Sequence, residues 1–311
     1  MSPTNRSHLC IDRNLLKTLA QPAPVRLLAQ TCTEWFWIIL LAVIANHSTS
    51  SIINVVCMLL IATRQHALLT LMHDYSHYQF SRKRKWLNDL LGDVFTAFPF
   101  FITIHGFRRN HQQHHQHCWT TDDPNYLATI AMQRYQFPKS FSQVVGEIFK
   151  HCIGYYTIAE LKRYTISAGM SVALPRSTHI QRVIFALTLI AVITAAGWWT
   201  AVLLYWIVPL ATFLMAILYI RDLGEHFGIS NSGIDNARTV LPNCVERLLI
   251  AQHGVNFHTE HHCYPSVPFF RLHRLHQALM QDPAYCSRAV ITNGYLFGLL
   301  GELSTFNAVA N

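Results

Sequence analysis

Apolar residues collect into two long blocks, one in each half of the chain. The first block covers about residues 27–72 and contains Arg64 as its sole Lys or Arg, and the second, residues 183–220, contains none. A helix needs about 20 apolar residues to cross a bilayer, so each block is long enough for two spans. The pattern predicts an all-α integral membrane protein with four transmembrane helices in two hairpins.

Polar turns set the limits of the predicted spans. Residues 46–51 form one turn, and Gly197 with the Trp198–Trp199 pair forms the other. Paired tryptophans are typical of a membrane–water interface. The first span has the weakest pattern because Gln30 and Glu34 fall within it. A single domain of residues 1–311 is predicted, with spans at about 27–46, 52–72, 181–197 and 200–220 and a helical cap formed by segments 73–180 and 221–311.

Basic residues indicate which side of the membrane carries the cap. The chain has 24 Lys and Arg against 16 Asp and Glu, a net charge of +8, and the two outer turns contain no Lys or Arg. Lysine and arginine favour cytoplasmic loops, so the termini and the cap are predicted to be cytoplasmic. We attribute the net charge to this orientation and to anionic lipids, and we expect no nucleic-acid binding.

Neither a secretory signal nor a disulfide framework is predicted. The first 26 residues are polar and mixed, without the apolar core of a signal peptide. The eight cysteines include no CxxC pair, and most fall in spans or on the cytoplasmic side, where disulfides are rare. Cys118 and Cys263 flank histidine clusters, and we interpret them as small buried fillers in preference to thiolate ligands.

Eight of the 19 histidines form three clusters with helical spacing. Residues three or four apart share one helix face, so each cluster can direct two or three imidazoles to one place. Imidazole binds zinc, copper, iron and nickel, and eight ligands exceed the three or four of a zinc site. Two metal ions are therefore predicted, held by His73 and His77, by His111, His114 and His115, and by His258, His261 and His262.

The predicted topology brings the three clusters to one membrane face. Two spans separate the second cluster from the third, and an even number returns the chain to the same side. His226, where the fourth span leaves the membrane, is predicted as a ninth ligand. Ligand histidines usually donate their second N–H to a carboxylate or carbonyl, which makes Asp74, Glu225, Asn256 and Glu260 candidates for that support.

The other histidines receive a different interpretation. Isolated ones are predicted to be ordinary surface or core residues, and these are His8, His47, His151, His179, His273 and His276. For His66, His105, His117 and His253, the sequence does not decide between a metal ligand and an ordinary residue.

The clusters, in this order, resemble the HxxxH, HxxHH and HxxHH boxes of the membrane fatty acid desaturase superfamily. The likeness extends to residues 122–125 after the second box and to residues 256–268 around the third, and it covers about residues 68–279. About 33 residues separate His77 from His111, as in acyl desaturases, whereas the sterol desaturase and hydroxylase group has a shorter interval.

The resemblance implies oxygen-dependent desaturation of a fatty acyl or similar lipid chain. Two iron ions would be the cofactor, dioxygen the co-substrate, and no catalytic residue beyond the metal ligands is expected. The sequence contains no HPGG haem motif, dinucleotide fingerprint or ferredoxin-like cysteine set. Electrons are therefore expected from a separate ferredoxin, rubredoxin or cytochrome b5 type of protein. A hydroxylase or ketolase of a lipid or carotenoid at the same site is the alternative enzyme.

A metal-binding or transport membrane protein is the alternative from a different class. A transporter would hold its ligands near the bilayer midplane, whereas these clusters lie outside the predicted spans among charged residues. Residues 94–104, rich in Phe and broken by Pro99, are predicted either to lie in the membrane interface or to pack internally. The basic run 82–85 is interpreted as topology and lipid contact in preference to donor docking.

Overall fold

A computed structural model describes residues 9–229 and 233–305, so His8 lies outside the described residues. The described chain is mainly helical and contains one small sheet. The helices are α1 (Arg13–Leu19), α2 (Pro24–His47), α3 (Ser51–Ser76), α4 (Lys85–Gly92), α5 (Ile104–His117), α6 (Pro124–Ile130), α7 (Phe141–Cys152), α8 (Thr157–Ser167), α9 (Arg176–Ala196), α10 (Trp199–Val202), α11 (Val208–Ala211), α12 (Phe213–His226), α13 (Cys244–Leu249), α14 (His258–Cys263), α15 (Phe269–Leu279), α16 (Pro283–Cys286) and α17 (Leu300–Thr305). The strands are β1 (Arg238–Leu241) and β2 (Val290–Asn293).

Among the described residues, four helical runs are each long and apolar enough to cross a membrane, which confirms the predicted four-helix architecture. They are Pro24–His47, Ser51–Ser76, Arg176–Ala196 and Trp199–His226. Their breaks lie in the predicted turns, where the Ser50 hydroxyl accepts a hydrogen bond from the start of α3 and Gly197 ends α9 with a left-handed φ of 67°. The side of the membrane on which the termini and the cap lie stays a prediction.

The residues cluster into two compact units, and each is described by itself. Unit 1 comprises the described residues of Met1–Ala23, His111–Lys150 and Leu218–Asn311, and unit 2 comprises Pro24–Asn110 and His151–Ile217. The single domain predicted from the sequence stays a prediction.

Unit 2 exposes much of its apolar surface. On α9, Val183, Ile184, Leu187 and Ile190 are all exposed. Hydrocarbon surroundings suit such a face, and the helix satisfies its own backbone hydrogen bonds as a lipid-exposed segment must. The segment before α5 bends sharply: Lys85–Phe100 and Ile104–His117 meet at 87°, and Phe101 at the bend has a φ of 62°. The interfacial position predicted for residues 94–104 stays a prediction.

Polar contacts in unit 2 fix the end of α3, which carries the first histidine box. Arg108 Nε donates to the Ser76 carbonyl oxygen at 2.6 Å, and Asn88 Nδ2 donates to that of Tyr75 at 2.8 Å. Arg108 also forms a two-pronged ion pair with Asp89, with N–O distances of 2.5 and 2.9 Å. Paired guanidinium and carboxylate groups of this geometry are strong and directional, so they hold the last turn of α3 in place.

Unit 1 is organised around β1 and β2, which pair in parallel from Arg238 with Val290 to Leu241 with Asn293. Asn256 donates from Nδ2 to the Val240 carbonyl oxygen at 2.8 Å and accepts from the Val240 N–H at 3.0 Å. The chain that leads into α14 is therefore fastened to β1. The two strands were not predicted, because four residues each are too few for an alternating pattern to stand out.

Candidate metal centre

The first histidine box lies in unit 2, at the end of α3. His73 is in the last turn and His77 is the C-cap, with the two ring centroids 4.9 Å apart. Burial, and secondarily the positive charge of Arg108, lowers the pKa of His77 to about 3. Its imidazole is therefore neutral at neutral pH, which is the state that binds metals.

The other seven predicted ligands lie together in unit 1. All are buried except His115, which is half-buried. The second box is on α5, the third is on α14, and His226 is the last residue of α12. The helical spacing read from the sequence is thus present in both boxes. Burial is the leading cause that lowers the pKa of His258 and His262 well below the usual histidine value.

Two groups of three ring nitrogens converge within unit 1. In the first, which we call the 115 triad, His115 Nε2 lies 2.9 Å from His111 Nε2 and 3.0 Å from His261 Nε2. In the second, the 258 triad, His258 Nε2 lies 2.9 Å from His226 Nε2 and 3.1 Å from His262 Nε2. The ring of His114 lies 4.9 Å from that of His226 and 5.0 Å from that of His262.

The triads fit metal ions better than they fit hydrogen bonding. One ring nitrogen is either a donor or an acceptor, so the central Nε2 of each triad can form a good hydrogen bond with only one of its two neighbours. A metal–imidazole nitrogen bond of about 2.1 Å would place two ligands at right angles about 3.0 Å apart. The nitrogen separations of both triads match that value.

Polar groups lie behind three of the histidines, and two of these groups are hydrogen-bonded to Nδ1. His114 Nδ1 lies 2.8 Å from Asp123 Oδ2, His226 Nδ1 lies 2.9 Å from the Asn236 carbonyl oxygen, and His258 Nδ1 lies 3.5 Å from Glu225 Oε1. The contacts of His114 and His226 are hydrogen bonds, and bonds of this kind fix the tautomer so that Nε2 points toward a metal. Of these three partners, Glu225 was a candidate from the sequence.

Asp123 and Asn236 were missed by sequence reasoning. Burial acts to raise the pKa of Asp123, but the hydrogen bond and charge of His114, with N–H donors from Trp119 and Asn125, outweigh it and the net shift is downward. Asp123 therefore faces His114 as a carboxylate. Its place nine residues after His114 was the available signal, and the sequence left it as part of a family-like run only.

For the remaining sequence candidates, which are Asp74, Asn256 and Glu260, the supporting role stays a prediction. Asp74 is buried, and its carbonyl oxygen accepts from the N–H groups of His77 and Gln79. Asn256 is hydrogen-bonded to Val240 of β1. Glu260 lies on α14 and is hydrogen-bonded to Thr239, His276 and Tyr285. The Cys118 sulfur lies 3.7 Å from His226 Nδ1, within a group that also includes His114 and His262.

Arg238 is a further residue that sequence reasoning missed. Its guanidinium is buried and donates to the carbonyl oxygens of Leu223, Phe227 and Gly228 at 3.4, 2.6 and 3.2 Å. A cation at the C-terminal end of a helix is stabilised by the helix dipole. Burial lowers the pKa of Arg238 to about 10, so it stays charged and anchors the end of α12 that carries His226.

Comparison with known proteins identifies the family of this chain. The model of the fatty acid desaturase family matches residues 50–292. A dihydrorhizobitoxine desaturase of Bradyrhizobium elkanii is 30% identical over 280 residues, which cover 86% of this chain and 74% of that protein.

Two further relatives are less similar in sequence. An sn-1 acyl-lipid omega-3 desaturase (ferredoxin) of Nostoc sp. (strain 36) is 23% identical over 77% of this chain and 71% of its own length. An sn-1 oleoyl-lipid 12-desaturase of Anabaena variabilis is 24% identical over 67% of this chain and 50% of its own. This membrane protein therefore belongs to the fatty acid desaturase family, and it is an oxidoreductase that desaturates a lipid or related chain.

Proposed function

We propose that the nine histidines hold two iron ions and that the enzyme is a non-haem di-iron desaturase of a fatty acyl or similar lipid chain. The convergence of ring nitrogens in the 115 triad and the 258 triad carries this proposal. Each triad supplies ligands to one ion, and the ligand set is completed by His73, His77 and His114. Bound iron would supply the power to activate dioxygen and to remove two hydrogens from neighbouring carbons.

The protein's own contribution is to orient the imidazoles and to exclude water. Asp123 and the Asn236 carbonyl oxygen keep Nδ1 of His114 and His226 occupied, so their Nε2 lone pairs are available. Trp119 covers His226 with its ring plane nearly parallel, 5.0 Å away. His77, His258 and His262, whose pKa values burial lowers, bind a metal without first having to lose protons.

Electrons are proposed to come from a separate small carrier of the ferredoxin, rubredoxin or cytochrome b5 type. Ferredoxin is favoured because the name of the Nostoc relative includes it. The boxes, the cap and both termini are proposed to face the cytoplasm, where such carriers are found. Basic residues outside the two hairpin turns support that orientation.

Expression in a bacterial host that supplies ferredoxin and its reductase, followed by mass spectrometry of the lipids, tests the proposed reaction. The expected product has lost two hydrogens, and it is absent in a His111→Ala strain. Gain of an oxygen atom instead would identify a hydroxylase or ketolase. A lipid profile equal to that of the empty host, across acyl chains of several lengths, would count against acyl lipids as the substrate.

A further inference from the structure

Glu260 lies on the side of α14 that faces away from the box histidines. Successive helix residues are about 100° apart, so Glu260 points roughly opposite to the mean direction of His258, His261 and His262. Its carboxylate is fully buried, with 0% of the residue exposed. A buried carboxylate is costly unless it is hydrogen-bonded, so the groups around it decide what it does.

Three side chains donate to this one carboxylate. Tyr285 Oη and His276 Nδ1 lie 2.6 and 2.5 Å from Oε1, and Thr239 Oγ1 lies 2.6 Å from Oε2. Hydrogen bonds to a charged acceptor are about twice as strong as neutral ones. Burial, and then the neighbouring charge of Glu260, raises the pKa of Tyr285 far above its usual value, so the phenol keeps the proton that it donates.

The three donors come from three different elements. Thr239 is in β1, His276 is in α15 and Tyr285 is in α16. Glu260 thus joins α14 to β1, α15 and α16, and β1 also contacts the preceding chain through the Thr239–Phe257 bridge. A helix of six residues has too few internal hydrogen bonds to be stable alone, so these contacts set its position and rotation.

We propose that Glu260, with His276, Tyr285 and Thr239, is the positioning centre for the third histidine box. It contacts no metal; it sets where the Nε2 atoms of His258, His261 and His262 lie. His276, predicted from the sequence to be an ordinary histidine, gains a role in this network. The inference rests on the proposed function, since it concerns how tightly the box holds its iron.

Glu246 offers a matched control. It is also buried, at 2% exposed, and its carboxylate accepts three hydrogen bonds, from the backbone N–H groups of Asn243, Tyr295 and Leu296. None of these donors lies on a helix that carries a box histidine. A Glu246→Gln substitution should therefore lower the stability of the fold without changing the iron site.

The experiment compares Glu260→Gln, Tyr285→Phe and Glu246→Gln in the full-length, detergent-solubilised protein. Iron loss to a chelator is followed spectroscopically, and thermal unfolding of each metal-free protein is recorded separately. Loss of an outer partner of a metal ligand typically costs about 10- to 100-fold in metal affinity. We expect iron release to be 10- to 100-fold faster in Glu260→Gln, faster to a smaller degree in Tyr285→Phe, and within about twofold of wild type in Glu246→Gln.

The outcomes separate this inference from the proposed function. Iron release at the wild-type rate from folded Glu260→Gln protein would overturn the positioning role. Equal acceleration in Glu246→Gln would also overturn it, because general loosening of the fold would then explain the effect. Should Glu260→Gln fail to fold, the same comparison is made between Tyr285→Phe and Glu246→Gln. A wild-type protein that binds no iron would instead refute the proposed function.

Discussion

Helix α9 of unit 2 and helix α14 of unit 1 place polar and apolar side chains in opposite ways. In unit 2, α9 exposes most of its apolar length, and 6% of its most apolar 18-residue stretch is buried. In unit 1, all six residues of α14 are buried, and five of them are His, Thr or Glu. Lipid supplies apolar surroundings to the first, whereas the second must satisfy every polar group internally. An exposed apolar face therefore indicates a membrane-spanning segment, and a cluster of buried polar residues indicates the candidate metal centre.

Substituting a histidine of the 258 triad and a histidine of α9 should give the largest difference in enzyme activity. His262→Ala removes a fully buried member of the 258 triad, and we expect product formation to fall by at least about 100-fold, since losing even an outer partner of a ligand costs 10- to 100-fold. His179 is exposed on α9, and His179→Ala should leave product formation within about twofold of wild type, as surface substitutions generally do. Lipid profiling of the two strains measures both, and equal activities would remove the contrast.

A positive charge introduced at an exposed position should have different effects in the two units. Leu187 on α9 is 62% exposed, and Leu187→Arg should disfavour membrane insertion by about 3 kcal/mol. Gln277 is exposed on α15 of unit 1, and Gln277→Arg should change stability by less than about 0.5 kcal/mol. The fraction of protein in washed membranes reports the first effect. Full insertion of the Leu187→Arg protein would show that this face does not meet lipid.

Neighbouring aspartates give the finest test of the buried polar pattern. Asp123→Asn weakens the support of His114, and we expect metal affinity to fall by about 10- to 100-fold. Asparagine caps a helix about as well as aspartate, so α6, whose start Asp123 caps, should persist. Asp122 is exposed, and Asp122→Asn should leave affinity unchanged. Competition with a calibrated chelator measures both; unchanged affinity in Asp123→Asn would refute the assigned role.

The sequence predicted the parts of this molecule that depend on local periodicity. Runs of about 20 apolar residues identified the four spanning helices, and spacings of three and four placed the second and third boxes on helix faces. The family resemblance is likewise confirmed by the match over residues 50–292. The ligand roles of the nine histidines stay predictions, supported by the convergence of the two triads.

The side-chain contacts of Glu260 could not be predicted because they join residues that are far apart in the sequence. Glu260 is separated by 16, 25 and 21 residues in the sequence from His276, Tyr285 and Thr239. Spacing alone does not predict a contact at such separations; the fold is needed. His276 looked ordinary for that reason. The role of Arg238 could not be predicted either, because a single arginine in the sequence does not reveal that β1 places it at the end of α12.

Iron content is the most direct test of the central claim. The purified, active protein should contain about two iron ions per chain, measured by atomic emission against amino-acid analysis. His114→Ala should lower both the iron content and the activity. Active wild-type protein with clearly fewer than two irons, or full activity in His114→Ala, would contradict the account.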